Sequence, residues 1–151
     1  MKSSRRTALK TTGAFATLIS LGIVTQSQAQ AAVERASFQV KTVEDALKAI
    51  GGQAASSDQV TVVSPDIAEN GAVVPVGATS KLPNTTEIYL IVEKNPTPLS
   101  AAFFIPAGTA ADVQTRLKMG QSTNVIAVVK ADGKLFSATK ETKVTLGGCG
   151  G

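Results

Sequence analysis

Ile88-Tyr89-Leu90-Ile91-Val92 is an unbroken apolar run. A strand with one face in water alternates apolar and polar residues, so a run without alternation fits a strand buried on both faces. Thr85 to Glu93, which holds the run, is the strongest strand in the sequence. Whatever fold the chain adopts must therefore cover two faces of it.

The neighbouring segments are short strands divided by turns. Gln59 to Val63 is a β-rich run ended by Ser64-Pro65. Pro65-Asp66-Ile67-Ala68-Glu69-Asn70-Gly71 is turn chemistry, with Asn70-Gly71 able to supply positive φ. Ala72 to Thr79 follows as a strand, and Pro75 inside it removes a ladder donor, which points to an edge or a bulge. Asn95-Pro96-Thr97-Pro98 turns the chain into a strand over Ser100 to Ile105. Ala111 to Met119 alternates, with Val113, Thr115, Leu117 and Met119 on one face and Gln114, Arg116 and Lys118 on the other. Asn124 to Lys130 and Leu135 to Thr139 flank Ala131-Asp132-Gly133-Lys134, a hairpin signal. Lys143 to Leu146 is the last strand segment. Ahead of the strands, Thr42 caps a short helix, Glu44 and Asp45 suit its positive end, and Gly51-Gly52 stops it. Val43, Ala46, Leu47 and Ile50 form its apolar stripe, which covers an open side of the core or a partner surface.

Short strands with turn signals about every ten residues predict an all-β fold. The expected architecture is an immunoglobulin-like antiparallel β-sandwich with one short N-terminal helix. The disulfide and Trp of antibody domains are missing, so the likeness is architectural. The chain has 151 residues, enough for one domain. With five Phe, one Tyr and no Trp, the core must be built from Val, Ile, Leu and Ala.

The chain has no histidine and one cysteine, which excludes a His-based triad, a His-ligated metal and a Cys-cluster metal site within one chain. An intrachain disulfide is impossible. No cofactor and no metal are expected.

Residues 1–31 have the form of an export signal. Lys2, Arg5, Arg6 and Lys10 precede the apolar stretch Ala14 to Val24, and small residues lead to a cleavage site after Ala31. The 11 apolar-stretch residues fall short of the roughly 20 that span a bilayer. Ser4-Arg5-Arg6-Thr7-Ala8-Leu9-Lys10 resembles the twin-arginine signal, with Ala8 where Phe or Leu is usual. The formal charge of +4 comes from these leader cations; from Ala32 onward 11 cations face 11 acids. A neutral mature domain gives no reason to expect a nucleic-acid partner.

The cysteine lies in Gly147-Gly148-Cys149-Gly150-Gly151. Glycines fill no core and leave the backbone free, so residues 146–151 are expected to form a slim mobile arm with a reactive thiol near its end. A thiol is activated by a cation, a metal or a helix N-terminus, and none is supplied nearby in sequence. Lys143 is the nearest cation, six residues back. Cys149 is thus expected to carry chemistry that other proteins activate.

Other candidates are weaker. Asp66 and Glu69 could form an acid pair, but Pro65 and Asn70-Gly71 make a turn the better reading. Arg116 and Lys118 fit a solvated sheet face better than an anion site. Pro96 spoils the glycosylation pattern at Asn95-x-Thr97.

The ending Val144-Thr145-Leu146-Gly147-Gly148-Cys149-Gly150-Gly151 resembles that of the SoxY family, the sulfur-carrier subunits of thiosulfate-oxidising systems. Pro65 to Ala72 with Val74-Pro75-Val76, Val92-Glu93-Lys94-Asn95-Pro96-x-Pro98, Thr115 to Lys118 and Asp132-Gly133 also match. The resemblance covers residues 40–151. It implies a 32–151 sulfur-carrier domain in the periplasm, off the membrane once the signal is cleaved, that is not itself an enzyme. It implies covalent substrate attachment at Cys149, arm flexibility from Gly147, Gly148, Gly150 and Gly151, and export through Arg5 and Arg6. It also implies a SoxZ-like sandwich subunit as heterodimer partner. A c-type cytochrome, a sulfate-releasing hydrolase and, in some systems, a sulfane dehydrogenase would act on the carried sulfur. Two other readings remain open. One is an exported assembly module whose Cys149 forms an interchain disulfide. The other, opposed by the leader and the strand-rich body, is a ubiquitin-like carrier that uses the terminal Gly-Gly.

Overall fold

The computed structural model describes residues 35–145. The compact unit that holds the strands begins at Ser37. The expectations for 1–31 and 146–151 fall outside the described residues. Helix α1 spans Val43–Ile50, and nine strands follow: β1 Ala55–Ser56, β2 Val60–Val63, β3 Ile67–Ala68, β4 Val74–Ser80, β5 Thr85–Val92, β6 Leu99–Phe104, β7 Asp112–Leu117, β8 Thr123–Ala131 and β9 Lys134–Val144. They form two sheets. One runs β1-β9-β8-β5-β6 with β3 also paired to β9, and the other runs β2-β4-β7.

The apolar run of β5 explains how the layers assemble. Ile88, Leu90 and Val92 are fully buried on the face toward the three-stranded sheet, where they meet Val74, Val76 and Ala78 of β4. Tyr89 and Ile91 point the other way, against Ala46 and Ile50 of α1. The helix is thus the second cover that the run demands. Thr42 caps it by accepting a hydrogen bond from the Asp45 N–H at 3.1 Å, and Gly51 ends it at φ 134°. On its exposed side Lys48 lies 2.9 Å from Glu44, whose hydrogen bond and charge raise the lysine pKa above its ordinary value. At the margin of the helix-covered face the Tyr89 hydroxyl donates to the Glu87 carboxylate, and Lys130 approaches that carboxylate at 3.4 Å. This gives the aromatic ring a polar partner where the face opens to water.

The hairpin forms as its turn chemistry requires. Ala131 pairs with Lys134, and Asp132 and Gly133 both take positive φ, at 50° and 72°. The alternation in β7 also holds, with Val113, Thr115 and Leu117 turned inward and the charged residues out.

Three expectations about the strands change. Pro75 lies in β4, which is the middle strand of its sheet and not an edge. The pairing of β2 with β4 stops at Gly77, however, while that of β7 continues to Val74. At Pro75 the strand has a neighbour on one side only, so the rule that proline needs a free flank is met locally. Second, Leu135 to Thr139 and the start of the Lys143 segment belong to one strand, β9, which ends at Val144. The polar residues between them hide the continuity because Lys140 and Thr142 bond to the distant Ser64-Pro65-Asp66 segment. Thr142 is fully buried and donates to Ser64 Oγ at 2.9 Å, and Lys140 reaches the Ser64 carbonyl at 2.6 Å and Asp66 at 3.0 Å. Third, Ile67-Ala68 is not only turn: it pairs in parallel with Lys143-Val144 at the end of β9.

The Thr142 to Ser64 bond makes a prediction. Thr142→Val keeps the shape and leaves the buried Ser64 hydroxyl without this partner. We expect a loss of about 1–3 kcal/mol, read from urea unfolding midpoints. An unchanged midpoint would mean that the bond contributes nothing.

Candidate functional site

The site begins where β9 ends. Its last residues are held from two sides. On one side β3 runs alongside: the Lys143 N–H donates to the Asp66 carbonyl at 2.9 Å, and the Thr145 N–H to the Ala68 carbonyl at 3.1 Å. The Thr145 hydroxyl also lies 3.3 Å from the Ala68 carbonyl and 3.5 Å from that of Glu69. On the other side Ser122 Oγ accepts from the Val144 N–H at 2.9 Å and lies 3.5 Å from the Val144 carbonyl. Beneath them, Met119 is buried and its N–H donates to the Gly71 carbonyl at 2.7 Å. The root of the 146–151 segment is therefore a fixed point.

Gly71 has a role that turn chemistry does not indicate. Neither Asn70 nor Gly71 takes positive φ. The turn is instead closed by Asn70, whose side-chain oxygen accepts from the Ala72 N–H at 3.0 Å. Gly71 is required by space: a Cβ there would sit closer than 3.0 Å to both the Met119 carbonyl oxygen and Val144 Cγ1.

Cys149, Gly147, Gly148, Gly150, Gly151, Arg5 and Arg6 lie outside the described residues. Asp66 is engaged by Lys140, which supports the structural reading of the Asp66/Glu69 segment over an acid pair. Arg116 and Lys118 are exposed at the end of β7 and form no ion pair among the described residues. Also among the described residues, no group of carboxylates or thiols is placed to hold a metal, and no helix is long and apolar enough to cross a membrane. Ser122 does not stand out in the sequence, and Ala68 and Gly71 stand out only as members of a turn-forming segment, not as anchors. The signal that could have found them is weak: a glycine and small residues beside a turn.

A family model described as "Sulfur oxidation protein SoxY" matches residues 46–149, from α1 to the cysteine. The chain belongs to the SoxY family. Among solved structures it is similar to the sulfur carrier protein SoxY from Chlorobium limicola f thiosulfatophilum. The two are 34% identical, with a TM-score of 0.63, over 70% of this chain and 97% of that one. Two single-substitution variants of a superoxide reductase (neelaredoxin) from Ignicoccus hospitalis match at 21% and 22% identity. Each has a TM-score of 0.51 and covers 58% of this chain and 80% of its own. These two share the sandwich, and at that identity they show the fold alone. No curated protein matches the chain by sequence.

Proposed function

We propose that residues 32–151 are a sulfur-carrier domain that holds sulfur intermediates covalently on Cys149 and presents them to the enzymes of thiosulfate oxidation. The observation that carries this reading is the extent of the SoxY family match, which runs through the sandwich and reaches the sole cysteine at 149. The geometry at the root supports it. A carrier needs a firm base and a slim extension, and Thr145 is bonded to β3 two residues before the glycines begin.

In this reading loading joins Cys149 Sγ to the outer sulfur of thiosulfate. The thiol proton leaves to solvent, and an electron pair passes to a c-type cytochrome partner. Water then cleaves the sulfur–sulfonate bond in a hydrolase, which releases sulfate and leaves a persulfide on Cys149. The domain contributes no catalytic group of its own. Its steady partner is a SoxZ-like sandwich subunit, and a sulfane dehydrogenase is a further client. Residues 1–31 direct export to the periplasm through the Arg5-Arg6 signal.

Intact-mass and peptide analysis of the protein from thiosulfate-grown cells tests the reading. It predicts sulfane or sulfonate adducts on Cys149. Free thiol alone under turnover would overturn it. The glycines give a second prediction. Gly148→Val and Gly150→Val thicken the segment that enters an active site, so transfer should slow by about tenfold or more, as misplacement of a reacting group does. The unfolding midpoint should not move. Wild-type rates in both variants would dismiss the need for a slim arm.

A further inference from the structure

The segment that anchors the arm root also carries an apolar surface without an assigned role. Among the described residues the large exposed apolar side chains are Val63, Ile67, Val73 and Phe104, and the first three belong to one stretch of chain. Ile67 is 58% exposed and Val73 50%. Both line a shallow hollow of about 290 Å³, together with Pro65, Pro75, Ala68 and Glu69. Val63, 42% exposed, ends β2 two residues before Pro65. Two of the lining residues hold the root from which the arm leaves: the Ala68 and Glu69 carbonyls are the partners of Thr145.

We propose that this hollow is the docking surface for the enzymes that take up the Cys149 arm, an inference that rests on the carrier reading above. Chain length decides the occupant. Cys149 is four residues beyond Thr145, and four extended residues span at most about 14 Å. An enzyme that encloses the thiol must bring its active-site rim that close to Thr145. Ala68 and Glu69 bond Thr145 and also line the hollow, so the hollow with Ile67 and Val73 borders the ground that rim must cover. The hollow suits such a contact: Pro65 and Pro75 have no rotamers to lose on binding, and Ile67 and Val73 supply the apolar area. A small contact of this kind would add to the energy of the arm inside the active site and still permit release, which a carrier serving successive enzymes needs.

The test uses the full chain with its sandwich partner in a reconstituted thiosulfate-oxidising mixture, with the carrier as the varied component. Ile67→Ser and Val73→Ser remove exposed side chains. Val73 lies outside any strand, so its variant remains informative if Ile67→Ser disturbs β3. For each, the KM for carrier should rise by about tenfold with kcat unchanged, the size expected for loss of one apolar anchor. Alkylation of Cys149 by iodoacetamide should proceed at the wild-type rate. A wild-type KM in both variants overturns the inference. Slower alkylation in parallel also overturns it, because the patch would then act on the arm itself. So does dissociation of the sandwich partner on size exclusion, which would assign the patch to subunit contact. Cys149→Ser in the same mixture separates the two readings. Its full activity sinks the carrier reading, whereas an inactive Cys149→Ser beside patch variants of wild-type KM sinks this inference alone.

Discussion

Cys149→Ser should leave the sandwich folded and reduce thiosulfate-dependent turnover to that of a mixture lacking the chain. In the carrier reading the loss is total, because the chemistry is covalent at one atom. A serine hydroxyl cannot form the sulfur–sulfur bond that loading requires, and its proton is far harder to remove than that of a thiol, whose ordinary pKa is about 8.5. The chain has no second cysteine to substitute. Folding should be spared, because serine matches cysteine closely in size and, among the described residues, the two core clusters are built from α1, the strands and the segments that join them. The measurements are cytochrome reduction with thiosulfate and the urea midpoint of the variant. The competing reading, an interchain disulfide, gives the opposite pattern: Cys149→Ser remains active, and reductant splits a covalent dimer of the wild type.

The parts of the fold that local chemistry dictates are readable from the residues. The helix has its cap, stripe and glycine stop within ten residues, and each is used as expected. The hairpin depends on Asp132-Gly133 alone. The two-sided burial of β5 follows from five side chains. What stays hidden depends on partners distant in sequence. The two-residue strands β1 and β3 exist because β9 offers them a free edge, and nothing in Ala55-Ser56 or Ile67-Ala68 announces it. The polar middle of β9 resembles a break because Lys140 and Thr142 find their partners 76 and 78 residues away, at Ser64. Pro75 departs from its expected edge strand for a related reason: edge status is local to a residue, and β2 stops short of it. The site divides in the same way. The thiol and its glycines are a composition signal, whereas the root that holds them is assembled from β3, Ser122 and Gly71 and is seen only in three dimensions.

Gly71→Val tests whether that root matters. The Cβ would lie closer than 3.0 Å to a backbone carbonyl oxygen, that of Met119, and a backbone atom cannot swing aside as a side-chain tip can. Met119 is also tied to Gly71 through its own N–H, so relief of the clash stretches that 2.7 Å bond. The second contact, at 2.9 Å, is Val144 Cγ1, so the displacement passes to the end of β9. We expect a loss of about 3 kcal/mol, the upper end for an overpacked site. We also expect faster hydrogen exchange at the Thr145 amide, which is bonded to the Ala68 carbonyl. Gly120→Ala is the control. A Cβ at that position meets nothing within 4 Å, so its stability should stay within about 0.5 kcal/mol of wild type. If the carrier reading is right, the Gly71 variant should also lose transfer rate under conditions where it remains folded, because a loosened root no longer directs the thiol toward the docked enzyme. Normal exchange at Thr145 together with a normal unfolding midpoint would show that the packing of Gly71 does not hold the root.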